Sequence, residues 1–255
     1  MGRQRFAGRG LLVERHGAVA RLVLDRPTDR NRVTDSMAAA LVEACEEIED
    51  GDAAAVELCG RGAWFCGGMA RGTNPLTLQR HCDPVAAVAR ITKPVVAVLA
   101  GPAAGLGAEL ALAADIRLAR AGVSLRFRDD NAGPMPCFGA TQRLPRLVGR
   151  TRALELLLLD EPITAAAAAE WGLLSGVFPA RRLPAAVRDL RNALARRAPL
   201  ALALAKEAVM RATEMPLAEG IRMEQDLYVL LQTTEDRAEG VRGFVEKRTP
   251  RFRGR

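Results

Sequence analysis

Residues 93 to 109, KPVVAVLAGPAAGLGAE, constrain the fold more than any other part of the chain. A proline followed by five apolar residues, Val95–Leu99, predicts a short strand that is covered on both faces. Glycines give the next residues backbone freedom and leave open space beside the main chain; they are Gly101, Gly105 and Gly107. A helix is predicted over 106–114, so its first N–H groups point back at the glycine-rich turn. This pattern is typical of an α/β sheet protein.

Glu109 lies within one helical turn of those N–H groups. Unpaired backbone donors can hold an oxyanion, and a carboxylate beside them suits an enzyme that handles an enolate. The alternative is an ordinary strand-to-helix connection with Glu109 on a solvated helix face. Neither common nucleotide-binding loop, G-x-x-x-x-G-K-[ST] or G-x-G-x-x-G, is present in this stretch.

Length and cysteine usage indicate one large domain, or one domain with an appendage, of 255 residues. The five cysteines are scattered and contain no CxxC pair, which favours reduced thiols in a cytosol-like compartment. No run of about 18 apolar residues exists. Residues 1–15 lack the apolar block of a signal peptide. We therefore expect a soluble, cytoplasmic protein without a membrane partner.

The chain is basic, with a net charge of +7, and only three of its 37 basic residues are lysines. A basic surface favours anionic partners such as phosphorylated cofactors, acidic carrier proteins or nucleic acid, and the alternative is a merely solvated surface. Aromatic residues make up only 4% of the chain and no nucleic-acid motif is present, so nucleic acid is an unlikely partner.

Strands and helices alternate in the first part of the chain, which predicts βαβ units and a largely parallel sheet. The predicted strands are 19–25, 54–59, 95–99 and 115–119, and the predicted helices are 35–49, 83–91 and 106–114. From Thr151 onward the spacing is helical throughout, over 151–159, 163–174, 183–197, 200–213, 216–234 and 236–247. An α/β core with a C-terminal helical region follows.

Several segments occur in a familiar order and spacing: LVLDRPTDRNRV (22–33), WFCGGMA (64–70), residues 93–119, GATQRLPRLVGRTRALELLL (139–158), ITAAAAAEWGLLSGVFP (163–179) and EGVRGFVEKRTPRF (239–252). On these segments, nearly the whole chain resembles the crotonase superfamily, the enoyl-CoA hydratase/isomerase fold. The resemblance implies a crotonase-like ββα spiral core with an acyl-CoA site over residues 1–195. It also implies a helical region over 196–255 that trimerises and closes the CoA site.

The resemblance assigns an oxyanion hole to the backbone N–H groups of Met69 and Leu106. Many relatives have glycine where Leu106 stands, and Ala70 replaces a common aspartate. Further residues implied to contact the substrate are Gly67, Gly68, Ala70, Arg71 and Gly105. The loop 71–84 looks shorter than the family's usual acyl-pocket loop, so the sequence leaves acyl specificity open.

Hydration needs one carboxylate to activate water and one acid to deliver a proton to carbon. The resemblance assigns the first role to Glu109 and, counting back from the T-Q-R run at 141–143, the second to Asp129. Aspartate is one methylene shorter than the family's glutamate, so its reach is about 1.5 Å less.

The surroundings of Asp129 in LRFRDDN (125–131) also depart from the family's F-G-x-P-E. Arg126 or Arg128 could pair with Asp129 and lower its pKa. Asp130 is a rival for the same role, and both aspartates could instead be loop residues paired with arginines.

Coenzyme A recognition is implied for four further residues. Arg26 and Arg30 lie in the loop after a strand, and Phe244 and Lys247 match the family's C-terminal pattern. Because the C-terminal helices of relatives pack in trimers, Lys247 is implied to act across a subunit boundary of a homotrimer or a dimer of trimers.

These assignments favour an enoyl-CoA hydratase, acting in either direction on an α,β-unsaturated acyl thioester, with acyl-CoA as substrate and neither metal nor cofactor. One alternative is an isomerase, decarboxylase or dehydratase on a CoA- or carrier-bound acyl chain in a biosynthetic pathway. A second is a non-catalytic relative that binds acyl-CoA or RNA.

Overall fold

A six-stranded sheet forms the centre of the protein in a computed structural model that describes residues 6–255. The strands in chain order are β1 (Leu11–His16), β2 (Val19–Leu24), β3 (Ala55–Gly60), β4 (Val95–Leu99), β5 (Ala103–Ala104), β6 (Ile116–Arg120), β7 (Ser124–Arg126), β8 (Ile163–Thr164) and β9 (Gly176–Phe178). The central sheet has the order β1-β2-β3-β4-β6-β9, and β5, β7 and β8 form a second, small sheet.

Helices connect and cover these strands. They are α1 (Asp35–Asp50), α2 (Pro75–His81), α3 (Pro84–Arg90), α4 (Leu106–Ala113), α5 (Ala140–Val148), α6 (Arg150–Leu159), α7 (Ala165–Glu170), α8 (Leu183–Ala195), α9 (Pro199–Arg211), α10 (Leu217–Gln232) and α11 (Glu235–Val245). Short 3-10 helices lie at Ala7–Arg9 and Pro27–Asp29. In the part of the chain that the structure describes, no helix is both long and apolar enough to cross a membrane.

The central sheet is parallel except at one edge, where β1 pairs antiparallel with β2. Parallel neighbours need crossover connections, and helices α1 to α4 supply them between β2 and β6. On one face α3 packs between α1 and α4, while α8 covers β3, β6 and β9. Strand β4 is therefore buried along its whole length, as its apolar sequence predicts.

Most predicted elements are confirmed to within two residues at their ends. Thr34 caps α1 as its side chain predicts, with its hydroxyl accepting the Met37 N–H at 3.2 Å. Strand β1 is missing from the sequence interpretation. It precedes the first predicted strand, 19–25, and pairs antiparallel with it.

Three regions differ from the sequence interpretation. Helix α2 lies inside the stretch expected to be a loop, with Asn74 as its N-cap and Pro75 in its first turn. Helix α5 begins at Ala140, before the predicted helical region. The predicted helix over 163–174 divides into β8 and α7, because the Thr164 hydroxyl caps a new helix at the Ala167 N–H.

The C-terminal helices leave an apolar face without a partner in a single copy of the chain. Helices α9 and α10 contain no fully buried residue. Large apolar side chains on this face are exposed, among them Val209, Met210, Leu217, Ile221, Tyr228 and Val229. A cluster of exposed apolar side chains like this one is typical of an interaction surface.

Glycines set the distance between α4 and the segment that precedes Met69. A Cβ atom added at Gly107 would overlap the backbone carbonyl of Cys66, and one added at Gly101 would overlap that of Ala63. Because these side chains are absent, α4 at Gly107 and the turn after β4 at Gly101 can both approach the 63–68 segment closely.

We expect Gly107→Ala to destabilise the protein, although the same change in an open helix interior is normally stabilising by about 0.5–1 kcal/mol. The overlap with Cys66 must be relieved by moving α4, which costs about 1–3 kcal/mol. Urea unfolding measures the change. Gly8→Ala is the control because nothing lies within 4 Å of its added Cβ, and a gain in stability for Gly107→Ala would contradict the close approach.

Candidate active site

Backbone pairing brings together the two segments that follow the carboxyl ends of the central strands β3 and β4. Cys66 forms an isolated parallel bridge with Ala103, and the Cys66 carbonyl accepts the Ala104 N–H at 2.9 Å. On the other side Val33 bridges to Met69. This pairing places Met69 beside the N-terminus of α4, where Leu106 is the first helical residue.

The N–H groups of Met69 and Leu106 converge on a single oxygen atom. Both donate to Oδ2 of Asp129, Met69 at 2.8 Å and Leu106 at 3.2 Å. Two amides aimed at one oxygen have the arrangement that an oxyanion hole requires. The Leu106 side chain finds room in the main hydrophobic core, where it is 1% exposed.

Asp129 thus occupies the predicted hole with its own carboxylate. The side chain is buried, and its Oδ1 accepts the Asn131 N–H at 3.0 Å. Asn131 in turn donates from Nδ2 to the Met69 carbonyl at 2.8 Å, which joins the loop of Asp129 to the oxyanion segment. The sequence offered no signal for this role of Asn131.

Gly68 and Gly105 leave the space into which the Asp129 carboxylate fits. A Cβ atom at Gly68 would lie 2.5 Å from Asp129 Oδ2, and one at Gly105 would overlap the same side chain. Both glycines also have positive φ angles, +96° and +50°. These positions accept side chains poorly for reasons of both space and backbone conformation.

The expected pairing of Asp129 with an arginine is wrong. Arg126 binds Asp160 at 2.6 Å and Asp130 at 3.1 Å, and Arg128 approaches Asp160 at 3.5 Å. The Asp130 side chain is 65% exposed, and its partner is Arg126. The alternative that both aspartates are arginine-paired loop residues therefore holds for Asp130 alone.

Glu109 is buried in the first turn of α4, so its placement on a solvated helix face is wrong. Its Oε1 accepts two backbone N–H groups, from Phe138 and from Ala140, each at 2.9 Å. Burial raises the pKa of Glu109 to about 7; these two amides and the charge of Arg143 oppose the rise, and Asp129 adds to it. A carboxylate that titrates near neutrality suits a general base.

The other implied binding residues divide into two groups. Gly67 and Ala70 lie within the oxyanion segment 64–70 and Arg71 follows it, whereas Arg26 and Arg30 lie in the loop after β2. The guanidinium of Arg30 stacks on Trp64 at 5.0 Å. The Arg30 carbonyl accepts the Gly67 N–H at 2.8 Å, and the Ala70 N–H donates to Val33 at 2.8 Å. Arg26 is partly used by an ion pair with Asp29 at 2.9 Å, whereas Arg71 is exposed.

Phe244 and Lys247 form the second group and lie at the end of α11. The Phe244 side chain is 86% exposed. It lines a cavity of about 450 Å³ between α9, α10 and α11, whose lining includes neither Glu109 nor Asp129. Lys247 follows α11 with a positive φ of 53°. Within one copy the structure therefore does not assemble these residues with the two carboxylates.

Comparison with known proteins gives one consistent family. The family model for enoyl-CoA hydratase/isomerase matches residues 14–255. The 2,3-dehydroadipyl-CoA hydratase of Escherichia coli is 36% identical over 252 residues, covering 96% of this chain and 99% of that protein. The 1,2-epoxyphenylacetyl-CoA isomerase of the same species is 33% identical, covering 93% and 95%.

A solved structure extends the similarity to three dimensions. The crystal structure of enoyl-CoA hydratase from Bacillus anthracis superposes with a TM-score of 0.89 at 32% identity, covering 96% of this chain and 100% of that one.

We expect Glu109→Gln to remove a pH-dependent loss of stability. Because burial raises the pKa from its ordinary 4.5 to about 7, the stabilisation by the bound proton is complete below the lower value and is lost as the pH rises through the upper one. Relative to the wild type, the free energy of unfolding of the glutamine variant should therefore increase by on the order of 3 kcal/mol between about pH 4.5 and pH 8. Urea unfolding across this range measures the difference, and a difference independent of pH would contradict the raised pKa.

Proposed function

Because this chain belongs to the enoyl-CoA hydratase/isomerase family, we propose that it adds water to, or removes it from, an α,β-unsaturated acyl-CoA, with Glu109 as the base that activates water and Asp129 as the acid. The chain is an enoyl-CoA hydratase-like enzyme. The observation that carries this residue assignment is the convergence of two amides on one oxygen within electrostatic reach of Glu109. Negative charge develops on the thioester oxygen during the reaction, and such donors stabilise it.

The Asp129 Oδ2 atom occupies the position of that thioester oxygen. An incoming substrate must displace the carboxylate, and the Met69 and Leu106 amides then bind the substrate carbonyl instead. The enolate that forms receives the same two hydrogen bonds, at 2.8 and 3.2 Å in the substrate-free arrangement. Asp129, once displaced, remains beside the reacting carbons because its loop stays bonded to Met69 through Asn131.

Glu109 takes the proton from the attacking water in this mechanism. The water oxygen forms a bond to C3, and the electrons of the C2–C3 double bond move to the thioester oxygen in the hole. The enolate then collapses, and C2 receives a proton from the Asp129 carboxyl group, which takes this proton up from solvent when it leaves the hole. Glu109 returns its own proton to solvent after the product has left. A base with a pKa of about 7 is substantially ionised at neutral pH and still accepts a proton readily.

A second candidate is an enoyl-CoA isomerase. The occupation of the hole by Asp129 leaves Glu109 as the carboxylate that is already in place for proton transfer. An isomerisation moves a proton between C2 and C4 of the acyl chain and needs one such base. Both reactions need the Asp129 carboxylate to leave the hole. Hydration differs because it also uses Asp129 to deliver a proton to C2.

Coenzyme A recognition is proposed for both groups of binding residues. Arg30 and Arg71 expose positive charge near the oxyanion segment, where they suit a phosphate group. Phe244 and Lys247 are proposed to serve the site of a neighbouring copy in a homotrimer or a dimer of trimers, with the unpartnered face of α9 and α10 as the contact. We propose that residues 1–195 form the catalytic core, that 196–255 form the oligomerising region, and that the enzyme acts in the cytoplasm.

Crotonyl-CoA incubated with the protein in heavy water tests the reaction by mass spectrometry. We expect the wild type to add water and to place deuterium at C2. Glu109→Gln and Asp129→Asn should each lower water addition by about 100-fold or more, since each removes a proton-transfer group. Asp130→Asn is the matched control and should retain activity, because the Asp130 side chain is exposed and pairs with Arg126.

The remaining outcomes separate the candidates. Deuterium uptake without water addition would contradict hydration and support the isomerase. Full activity in Asp129→Asn would contradict the role of Asp129. If crotonyl-CoA binds without any reaction, a hydratase that acts on this short enoyl-CoA is contradicted.

Asp129→Ala should bind acetoacetyl-CoA, a thioester that forms an enolate readily, more tightly than the wild type. The change empties the hole and removes a carboxylate that repels the enolate. Hydrogen bonds to a charged group contribute about 1.5–3 kcal/mol, so we expect an affinity gain of about 10-fold or more. Isothermal titration measures it with Asp130→Ala as control, and weaker binding by Asp129→Ala would contradict occupation of the hole by Asp129.

A further inference from the structure

The two amides that hold Glu109 belong to a short loop centred on Gly139. Phe138 and Ala140 flank this glycine, and both of their N–H groups donate to Glu109 Oε1. Gly139 has a φ of +104°, a left-handed conformation that side chains rarely adopt. Two nearby amides directed at one anion form a concave binding site for it. The loop must keep this conformation for Glu109 to keep both hydrogen bonds.

Arg143 folds back over this loop from the first half of α5. Its Nη1 donates to the Phe138 carbonyl at 2.8 Å. The guanidinium lies directly against Gly139, where an added Cβ atom would overlap Nη1. The Arg143 backbone N–H also donates to the Gly139 carbonyl at 2.9 Å. One residue therefore contacts the loop through both its side chain and its main chain.

In the part of the chain that the structure describes, Arg143 interacts with carboxylates only over a longer distance than an ion pair. Within residues 6–255, no Asp or Glu oxygen lies within 4 Å of its guanidinium, although Glu109 and Asp83 interact with it over a longer distance. Burial lowers the pKa of Arg143, and these two carboxylates raise it. Partial burial of a guanidinium without an ion-pair partner costs free energy. If Arg143 only held the loop in place, an uncharged donor would do so at a lower desolvation cost.

We propose that Arg143 is a positioning residue for Glu109: it fixes the Phe138 carbonyl so that two amides stay aimed at one carboxylate oxygen, and its positive charge stabilises the ionised carboxylate. This inference deepens the function proposed above and rests on Glu109 acting there as the base. Arg143 bonds to the loop that holds Glu109, so its effect on catalysis is exerted through Glu109.

Several groups face Glu109 from the elements around it. Arg143 comes from α5, Asp129 from the loop that follows β7, and Cys137 from the segment before α5. Asp83, the N-cap of α3, interacts with Arg143. Because Arg143 is the cation of this set, its removal should raise the pKa of Glu109, whereas a change that only loosens packing would admit water and lower it.

Infrared titration of the Glu109 carboxyl group tests the charge directly. The band is identified by its absence in Glu109→Gln, and its midpoint is followed in Arg143→Met and Arg143→Lys. We expect the midpoint to rise by about one pH unit in Arg143→Met and to stay near the wild-type value in Arg143→Lys. Arg146→Met is the control, because Arg146 lies one turn further along α5, is exposed and donates to the Gln142 carbonyl.

Hydrogen exchange of residues 137–141 tests the clamp. Arg143→Lys keeps the charge but replaces the planar guanidinium, so loss of the bond to Phe138 should speed exchange by about 10-fold. A wild-type midpoint in folded Arg143→Met would overturn the electrostatic role. Unchanged exchange in Arg143→Lys would overturn the positioning role, and this variant decides the matter if Arg143→Met does not fold.

Neither measurement needs turnover. If the wild type adds no water to an enoyl-CoA but the midpoint and the exchange respond as expected, the proposed function fails while the role of Arg143 stands. If water addition is normal and neither quantity responds, the role of Arg143 fails alone. In an active enzyme, the pH midpoint of kcat/KM should move upward with the infrared midpoint in Arg143→Met.

Discussion

Burial of the Glu109 carboxylate is the constraint on which the site depends. An ionised carboxylate removed from water costs several kcal/mol unless hydrogen bonds and charge replace its hydration. The chain supplies both from one region, since the Phe138 and Ala140 amides hold one oxygen and Arg143 stands over the same loop. These hydrogen bonds and this charge only partly replace the lost hydration. The pKa of Glu109 therefore stays near 7 instead of returning to 4.5.

The need to satisfy buried polar groups also explains why the Asp129 carboxylate lies against the Met69 and Leu106 amides. The amides of Met69 and Leu106 are buried and directed at a common point, so without an acceptor they would be two unsatisfied donors. Asp129 Oδ2 satisfies both in the absence of substrate. The glycines at 68 and 105 make room for any acceptor at this point, whether it belongs to the protein or to a ligand.

Local patterns predicted those parts of the site that depend on local chemistry. The apolar run Val95–Leu99, the glycine turn and Glu109 in the first turn of α4 follow from spacing and conformational preference. The partners of Asp129 did not follow, because Arg126 finds Asp160 across 34 positions and the competing contacts are decided by tertiary packing. The sequence did not predict the two N–H groups that bind Glu109, because they are backbone amides, which nearly every residue carries. Gly139 and Arg143 in G-A-T-Q-R were the available signal.

In the mechanism proposed above, the Asp129 carboxylate acts as a tethered competitor for the oxyanion hole. A group held on a short segment has an effective concentration in the millimolar range or above, which free ions at lower concentration cannot match. Acetate or phosphate from solution would therefore rarely enter the hole. A thioester already anchored by its nucleotide end is tethered as well, and it competes on equal terms. In this mechanism Asp129 excludes small free anions from the hole. It yields to ligands that the rest of the protein already holds.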